Sequence, residues 1–374
     1  MQPRKERRRV FDDVAAQLRK YLQKSCRAGD RIEPIRSLAV SLGVSHWSLR
    51  AAQALLAREG LLEIRHGSGV YVTGRIQKPQ IGICTPFDVL QPRASSFQTQ
   101  VPRLLRDYLD RQGYCAEIYV GKSAPGEMDP PANCPRFLAD VEAGRLDGIA
   151  ILNAPDLASW VEWIQALAIP AVGVHTPYAV GIPHRSMVTT GVRSLFDQGC
   201  RRIGLLSWSG PGLPAAFRDA LAGLSLSVHP EWIRGDLHPM LSGAGWEEFR
   251  EIWTAREEKP DGVLACDDVL CDEAATAIHE LGIRMPETLR LAMFSNKGSS
   301  ARYPFPVTRI EVDPALYAEP LGEMLVRRMR GQKVPPPSPT LPFDVIEATG
   351  MPRAIGSSRI ESADGRCVTS QSLP

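Results

Sequence analysis

Apolar residues recur at three- and four-residue steps near the start of the chain, and this spacing predicts short amphipathic helices. The first helix is expected from Val10 to Gln23, behind a charged lead-in over residues 1–9 that we expect to be disordered. The next begins at Pro34, because the fixed φ of proline suits the first turn of a helix. A third and longer helix is expected from about His46 to Glu59.

A tight break separates the last two helices. The segment Gly43-Val44-Ser45 interrupts the apolar periodicity, and the Ser45 hydroxyl is placed to cap the third helix by accepting a free backbone N–H of its first turn. Two short strand-like runs then flank His66-Gly67-Ser68-Gly69, a pattern typical of a hairpin. Two helices across a glycine turn, followed by a hairpin, predict a winged helix-turn-helix.

The third helix has two different faces. One face is an apolar stripe that we expect to be buried, formed by Leu49, Ala52, Leu55 and Leu56. The other face is polar and free to meet DNA, and near the helix start it carries His46, Trp47, Ser48 and Arg50. The sequence therefore predicts that this helix reads DNA.

From Gln80 onward, short apolar runs alternate with helical patterns. The strand-like runs are QIGICTP, CAEIYV, LDGIAIL, IPAVGV, RRIGLLS, PDGVLAC, LRLAMF and VTRIEV. Strands spaced by helices predict an α/β fold with parallel sheets flanked by helices and right-handed crossovers. Because the region spans about 270 residues, which exceeds a single small sheet, we expect two similar lobes.

The charge is distributed unevenly between these two regions. The net charge of the 374 residues is +2, but residues 1–78 hold 16 lysines and arginines against 7 acidic residues. The remaining 296 residues hold 28 basic and 35 acidic residues. A basic head on an acidic body is expected when one end of a protein meets a polyanion such as DNA.

Several classes of protein are disfavoured by the remaining composition. The eight cysteines show no CxxC pair, which argues against a zinc ribbon or a disulfide scaffold. The seven histidines include no HExxH motif, and no G-x-S-x-G elbow surrounds Ser207-Trp208-Ser209, so neither a metal site nor a hydrolase is indicated. No apolar run approaches the length of a membrane span, and we expect a cytoplasmic protein without a cofactor.

Residues 10–73 resemble the DNA-binding domain of GntR-family bacterial repressors. The stretches that carry the resemblance are GDRIEPIRSLA, LGVSHWSLR, REGLL and GSGVYV. The resemblance implies that Arg36, Ser45, His46 and Arg50 lie at the major groove, and that His66 and Gly67 at the wing tip enter the minor groove. Trp47 and Ser48 share the reading face, although Trp47 is as well suited to partial packing as to base contact. Where the family has Arg after the serine of the turn, this chain has His46, which cannot form the two-pronged contact of Arg with guanine.

The region from about 80 to 350 resembles the LacI/GalR-type regulatory domain, which has a periplasmic-binding-protein-like fold. The stretches that carry this resemblance are QGCRRIGL, KPDGVLACDD and ELGIRMP. This resemblance implies a two-lobed effector-binding domain over 80–352. It follows the winged helix-turn-helix, which we expect over 1–75, and the segment Thr73 to Pro79, which we interpret as a linker. We expect one lobe from 80–178 and 308–332 and a second lobe from 179–306 and 338–352. The run Pro335-Pro336-Pro337 should lie near the last crossing between the lobes, and residues 353–374 should form a disordered tail.

Ligand sites of such folds lie between the lobes, at the carboxyl ends of the strands. By resemblance, Arg218 takes the position of an effector-gripping arginine and Asp267 that of an Asn or Asp. Ser295 stands where relatives carry a sugar-binding Asp, a change that removes two strong acceptors. Further candidates for the cleft are Phe97, Trp208 and Asn296. Asp268 is assigned the structural role of capping the helix that follows it.

The resulting hypothesis is a one-component transcription regulator that acts as a repressor. Its partners would be double-stranded operator DNA, a carbohydrate-related effector, and a second copy of the chain, with dimer contacts through the helix of Val101, Leu104 and Tyr108. One alternative is a GntR-type regulator with a pyridoxal-phosphate aminotransferase-like body, whose lysine would be Lys297. Another is a small-molecule binding protein without operator-specific DNA binding, for which no steep salt dependence on duplex DNA is expected.

Overall fold

The computed structural model describes residues 3–89, 94–123, 133–153, 158–208, 212–237, 244–299, 301–334, 338–348 and 352–353. The proline run 335–337 lies outside these described residues. So does the tail expected over 353–374, except for Arg353, which belongs to a short strand.

The amino-terminal head contains three helices and a two-stranded hairpin: α1 (Pro3–Ser25), α2 (Ile35–Leu42), α3 (His46–Arg58), β1 (Leu62–Arg65) and β2 (Gly69–Val72). The expectation of disorder over residues 1–9 is wrong from Pro3 onward, because the Lys, Arg and Glu residues of this segment favour a helix and extend α1. The strands β1 and β2 pair antiparallel, with Leu62 opposite Val72. The helix-turn-helix and its wing are therefore confirmed.

The head has its own hydrophobic core. Leu18 of α1 is fully buried against Leu49 and Leu56 of α3, so α1 packs beneath the recognition helix as its periodicity predicts. Leu55 is only half-buried. Ile76, in the short 3₁₀ turn Gly74–Gln77 that leads out of the head, is fully buried in the same core. The start of the linker is thus anchored to the head.

The first lobe is built on a four-stranded parallel sheet with the order β4-β3-β5-β6. Its elements are β3 (Gln80–Phe87), α4 (Ser96–Arg111), β4 (Cys115–Ser123), α5 (Pro135–Glu142), β5 (Gly148–Ile151), α6 (Ala158–Gln165) and β6 (Ala171–Gly173). The central strand β5 is buried along its whole length, as expected for a parallel strand covered by helices on both faces.

The second lobe is built on a seven-stranded sheet with the order β13-β12-β11-β10-β9-β7-β8. Its elements are α7 (His184–Asp197), β7 (Ile203–Trp208), α8 (Gly212–Gly223), β8 (Ile233–Leu237), α9 (Trp246–Thr254), β9 (Gly262–Ala265), α10 (Asp268–Glu280), β10 (Arg290–Asn296), β11 (Val307–Val312), β12 (Phe343–Ile346) and β13 (Pro352–Arg353). Strands β7 to β11 are parallel, and β12 and β13 run antiparallel at one edge.

The chain passes between the two lobes three times: after β6, after β11 and after α11 (Ala315–Met329). Helix α11 packs on the first lobe, where Leu325 and Met329 lie against Gly148 of β5. Residues 308–312, which we expected in the first lobe, are instead part of β11 and pair with β10 in the second sheet. The crossing therefore follows Val312, because the apolar run VTRIEV is stabilised as an interior strand before the chain leaves.

Helix α4 is covered by α11 of the same chain. Val101 is almost fully buried, and the Tyr108 ring lies against Gly322 of α11, where a Cβ would come within 2.5 Å of it. Val101 is therefore not available for the dimer contact that we expected, whereas Leu104 and Tyr108 are only half-buried, and a dimer contact through them stays a prediction.

Candidate functional site

The turn before α3 has the geometry that its sequence predicts. Gly43 ends α2 with a φ of +64°, a conformation that favours glycine. The Ser45 hydroxyl then accepts the backbone N–H of Ser48 at 3.0 Å, which caps α3. The Ser45 and Ser48 hydroxyls are also within 2.8 Å of each other, so both are engaged locally at the start of the helix.

The predicted reading residues lie on the solvent side of the head. Arg36, His46 and Arg50 are exposed, and Trp47 is 76% exposed, so the packing alternative for Trp47 is not realised in this structure. At the wing tip, His66 and Gly67 are exposed, and Gly67 has a φ of +73°.

A cavity of about 730 Å³ separates α3 from the wing. His46 and Arg50 line it on one side, and Gly69 on the other. Arg31 also lines this cavity, and a Cβ at Gly69 would come within 2.6 Å of its Nε. Sequence reasoning missed Arg31, although its place directly after the Gly29-Asp30 turn of the basic head is a usable signal.

In the second lobe, three predicted effector residues form a row across neighbouring strands. Leu206 pairs with Ala265, and Ala265 pairs with Met293. Trp208 and Ser295 lie two residues further along their strands, and Asp267 follows the end of β9 and is hydrogen-bonded by the Trp208 side chain. Because alternate residues of a strand share a face, Trp208 and Ser295 point to the side on which Leu206 and Met293 are packed.

Two hydroxyl groups near this row are buried without a hydrogen-bond partner among the described residues. They belong to Ser207, which is fully buried, and to Ser295, which is 4% exposed. Ser207 precedes Trp208 in β7 and therefore points to the other face of the sheet, whereas Ser295 belongs to the row. Buried polar groups in folded proteins are nearly always paired, so the unpaired Ser295 hydroxyl marks this edge as a candidate for a polar ligand.

Asp267 is half-buried beside the buried Asp268. Burial and the negative charge of Asp268 raise the pKa of Asp267 to about 8, although hydrogen bonds from the Val269 backbone and the Trp208 side chain oppose this rise. The Val269 N–H lies 2.9 Å from Asp267 Oδ1, so Asp267 caps α10. Although Asp268 also accepts this N–H at 3.1 Å, Asp267 stands at the N-cap position that we assigned to Asp268.

Asp268 joins the two lobes. Its Oδ2 accepts the backbone N–H of Ser96, in the first turn of α4, at 3.1 Å, and the Asn296 side-chain amide at 3.1 Å. Ser95, at the N-cap of α4, makes no capping hydrogen bond of its own. A carboxylate of the second lobe therefore caps a helix of the first, a contact across 172 positions that no local pattern indicates.

The remaining two predicted residues lie apart from this row. Phe97 belongs to the first lobe and packs edge-on against Tyr317 at a centroid distance of 5.2 Å. Arg218 is exposed in the second turn of α8, next to Asp219, which pairs with Arg185 at 2.7 Å. The structure thus brings together Trp208, Asp267, Ser295 and Asn296, but not Arg218.

Other sites are not evident in the part of the chain that the structure describes. No group of three His, Cys, Asp or Glu side chains is arranged to hold a metal ion there. Within the same ranges, no helix is both long and apolar enough to cross a membrane.

Comparisons with protein families match two regions of the chain. Residues 11–72 match bacterial regulatory proteins of the gntR family, and residues 192–347 match a periplasmic binding protein-like domain.

Curated relatives are similar over part of their length. The HTH-type transcriptional repressor PurR of Mannheimia succiniciproducens is 28% identical over 143 residues, which are 37% of this chain and 42% of the relative. The Uxu operon transcriptional regulator of Escherichia coli is 32% identical over 94 residues, which are 23% of this chain and 37% of the relative. The chain thus matches about two fifths of the length of these proteins.

Solved structures share the fold of the body. Transcription regulator CcpA of Lactococcus lactis superimposes with a TM-score of 0.59 at 13% identity, covering 72% of this chain and 97% of that chain. A complex of transcriptional regulator CelR with cellobiose gives a TM-score of 0.61 at 16% identity, covering 85% of this chain and 100% of that chain. At these identities, the two comparisons establish a two-lobed fold of the LacI type.

Proposed function

Because residues 11–72 form a gntR-family domain and the body is periplasmic binding protein-like, we propose that the chain is a one-component transcription regulator that acts as a repressor. The observation that carries this proposal is the exposed polar start of α3, with His46 and Arg50, on a head whose charge is opposite to that of the body. We infer a cytoplasmic protein without enzymatic activity, like the repressors that it resembles.

In the proposed DNA complex, the start of α3 enters the major groove. Arg36, His46, Trp47 and Arg50 face the bases, Ser45 and Ser48 hold the helix start, and His66 and Gly67 at the wing tip approach the minor groove. We further propose a homodimer whose two heads bind a pseudo-palindromic operator. The groove between α3 and the wing adds Arg31 to this set.

We propose that a small, carbohydrate-related molecule binds between the lobes and controls operator affinity. The unpaired hydroxyl of Ser295, near Trp208 and Asp267, supports a polar ligand at this edge. The similarity in fold to a regulator solved with cellobiose supports a carbohydrate. Such a ligand changes DNA affinity only by binding the open and closed lobes with different affinities.

An aminotransferase-like body is not favoured. Its lysine would have to hold a cofactor in a pocket, but Lys297 is exposed and pairs with Asp313 at 3.0 Å. The parallel sheets of two lobes and the family match over 192–347 instead support an effector-binding body.

The DNA-binding proposal is tested by selecting bound sequences from a random duplex pool and measuring affinity by fluorescence anisotropy at fixed salt. Arg50→Ala should weaken the selected site by about 1–3 kcal/mol and random DNA much less, because a base reader acts mainly on its cognate site. Arg58→Ala, which removes the same charge at the far end of α3, is the matched control. Equal losses on selected and random DNA would contradict base reading by Arg50.

The effector proposal is tested by thermal denaturation with a carbohydrate panel that includes cellobiose. Stabilisation by a sugar should be reduced by Trp208→Ala and by Ser295→Ala. Arg218→Ala decides the role of the exposed arginine, because an unchanged response would remove Arg218 from the proposed site. If no sugar stabilises the protein, the carbohydrate class is wrong.

A further inference from the structure

A groove of about 1050 Å³ lies where the head meets the first lobe. Its walls are the second half of α3, the 3₁₀ turn Gly74–Gln77, and the nearby parts of β3, β4, α4 and α5. The two sides are tied together by Arg19 of α1, whose Nη1 donates to the backbone carbonyl of Arg145 at 2.9 Å. None of the residues assigned above to DNA or effector binding lines this junction groove.

The junction groove has an excess of positive charge. Six arginines and three carboxylates line it. Each carboxylate is matched by one arginine, in the pairs Arg19–Glu59 (2.5 Å), Arg136–Glu117 (2.6 Å) and Arg145–Asp140 (2.5 Å). Three arginines therefore remain without a matching carboxylate in the groove.

These three arginines come from three different parts of the chain. Arg58 belongs to α3 in the head and donates to the carbonyl of Ala54, at 3.3 Å. Arg75 belongs to the linker and contacts the Cys115 sulfur at 3.1 Å. Arg106 belongs to α4 in the first lobe and lies 3.5 Å from its neighbour Asp107, which does not line the groove. Head, linker and lobe thus each direct one guanidinium to the same space.

A second observation also indicates a missing acceptor. Arg19 lines the groove and is 7% exposed, and its Nε is buried with no hydrogen-bond partner among the described residues. A buried guanidinium N–H without an acceptor costs free energy that an anionic oxygen would recover.

We propose that the junction groove binds a small molecule that carries two or more phosphate groups. Guanidinium groups are well suited to phosphate oxygens because they offer several donors in a plane, and three of them match a ligand with several negative oxygens. The operator is a poor candidate for this place. Arg58 stands at the end of α3 opposite to Ser45, about 20 Å away for a helix of this length, so DNA read by the helix start does not extend to it.

Such a ligand would bind the head, the linker and the first lobe at once, and it would therefore restrict the orientation of the head. If the restricted orientation differs from the one that fits DNA, the phosphate ligand and the operator weaken each other by the same factor; if it matches, they strengthen each other. The protein would then have a second regulatory binding site, separate from the cleft between the lobes.

The experiment titrates the full-length protein with sodium pyrophosphate and follows binding by isothermal calorimetry, with sodium chloride at equal ionic strength as the reference. We expect saturable binding, and we expect Arg106→Gln and Arg75→Gln each to weaken it about tenfold, as the loss of a charge-assisted hydrogen bond implies. Arg103→Gln, on the exposed side of α4 outside the groove, is the matched control and should bind like the parent protein.

A further control separates the junction groove from the reading face. Arg50→Gln should leave pyrophosphate binding unchanged; loss of binding in this variant would place the anion at the DNA-reading surface and overturn the proposal. The absence of saturable binding, or an equal loss in Arg103→Gln and Arg106→Gln, would also overturn it. Because the measurement uses no DNA, either outcome leaves the proposed regulatory function to its own test.

Discussion

The head and the two-lobed body present their candidate residues in opposite ways. In the head, His46, Trp47 and Arg50 are exposed on one turn of one helix, above a core that the same helix completes. In the body, Ser295 is buried and Asp267 is half-buried, and they meet only because separate strands are held in register. A surface that must meet a large polyanion can be built from one short segment, whereas a cleft for a small molecule needs contributions from distant segments.

The largest expected effect tests whether the head and the body unfold independently. Leu49 and Leu264 are both fully buried, one in the head core and one in the core of the body. Each change to Ala should reduce the free energy of unfolding by about 2–5 kcal/mol. Scanning calorimetry should show Leu49→Ala lowering a head transition alone, because a small core has little stability to spare. A single transition lowered equally by both changes would show that head and body unfold together.

The second effect concerns the Asp267 carboxyl of the body. The pKa of Asp267 is raised to about 8 in the folded protein, above an unfolded value near 4, so its contribution to stability is complete below about pH 4 and is lost as the pH rises through about 8. The side chain of Asp267→Asn cannot ionise. Between pH 5 and pH 9, the free energy of unfolding of this variant should therefore rise by about 1–3 kcal/mol relative to that of the parent protein. Chemical denaturation at each pH measures this difference. A constant difference across that range would contradict the shifted pKa.

The third effect tests the contact between the lobes. Asp268→Ala removes the acceptor that caps α4 across the cleft and should reduce the free energy of unfolding by about 1–2 kcal/mol. Because the lobes should then separate, small-angle scattering should show a larger radius of gyration. Asp268→Asn keeps an oxygen acceptor and should retain most of the parent behaviour. If the Ala and Asn variants behave alike, the hydrogen bond to Ser96 does not hold the lobes.

The smallest effect compares two serines at helix starts. Ser45→Ala should destabilise the head by about 1 kcal/mol, because the Ser45 hydroxyl caps α3. Ser95→Ala should have little effect through capping, because Ser95 makes no capping bond and Asp268 supplies one from the other lobe. Thermal denaturation of the two variants measures the difference. A larger loss for Ser95→Ala would reverse this contrast.

The sequence predicts the head well because its signals are local. The Gly43 turn, the Ser45 cap and the stripe of Leu49 and Leu56 each act within a few residues, and all three are present in the structure. The lead-in is the exception, since its charged residues are also good helix formers and α1 begins at Pro3.

The body is predicted in its class but less well in its details. Alternating strands and helices indicate parallel sheets, but they do not show whether the chain passes to the other lobe before or after a given strand. From the sequence alone, most of VTRIEV is therefore expected in the wrong lobe. The bond between Asp268 and Ser96 joins residues 172 positions apart, and the position of Arg218 depends on the rotation of α8. Such features follow from tertiary packing, which periodicity does not encode.

The path of the chain also bears on how such proteins diversify. A single covalent connection, through the segment Thr73 to Pro79, leads from the head into the body, whereas the chain crosses between the two lobes three times. One genetic exchange within that connection can therefore replace the whole reading head, but no single exchange can replace a lobe. A transplanted head would keep the hydrogen bond to the Arg145 carbonyl only if it carried a donor at the place of Arg19.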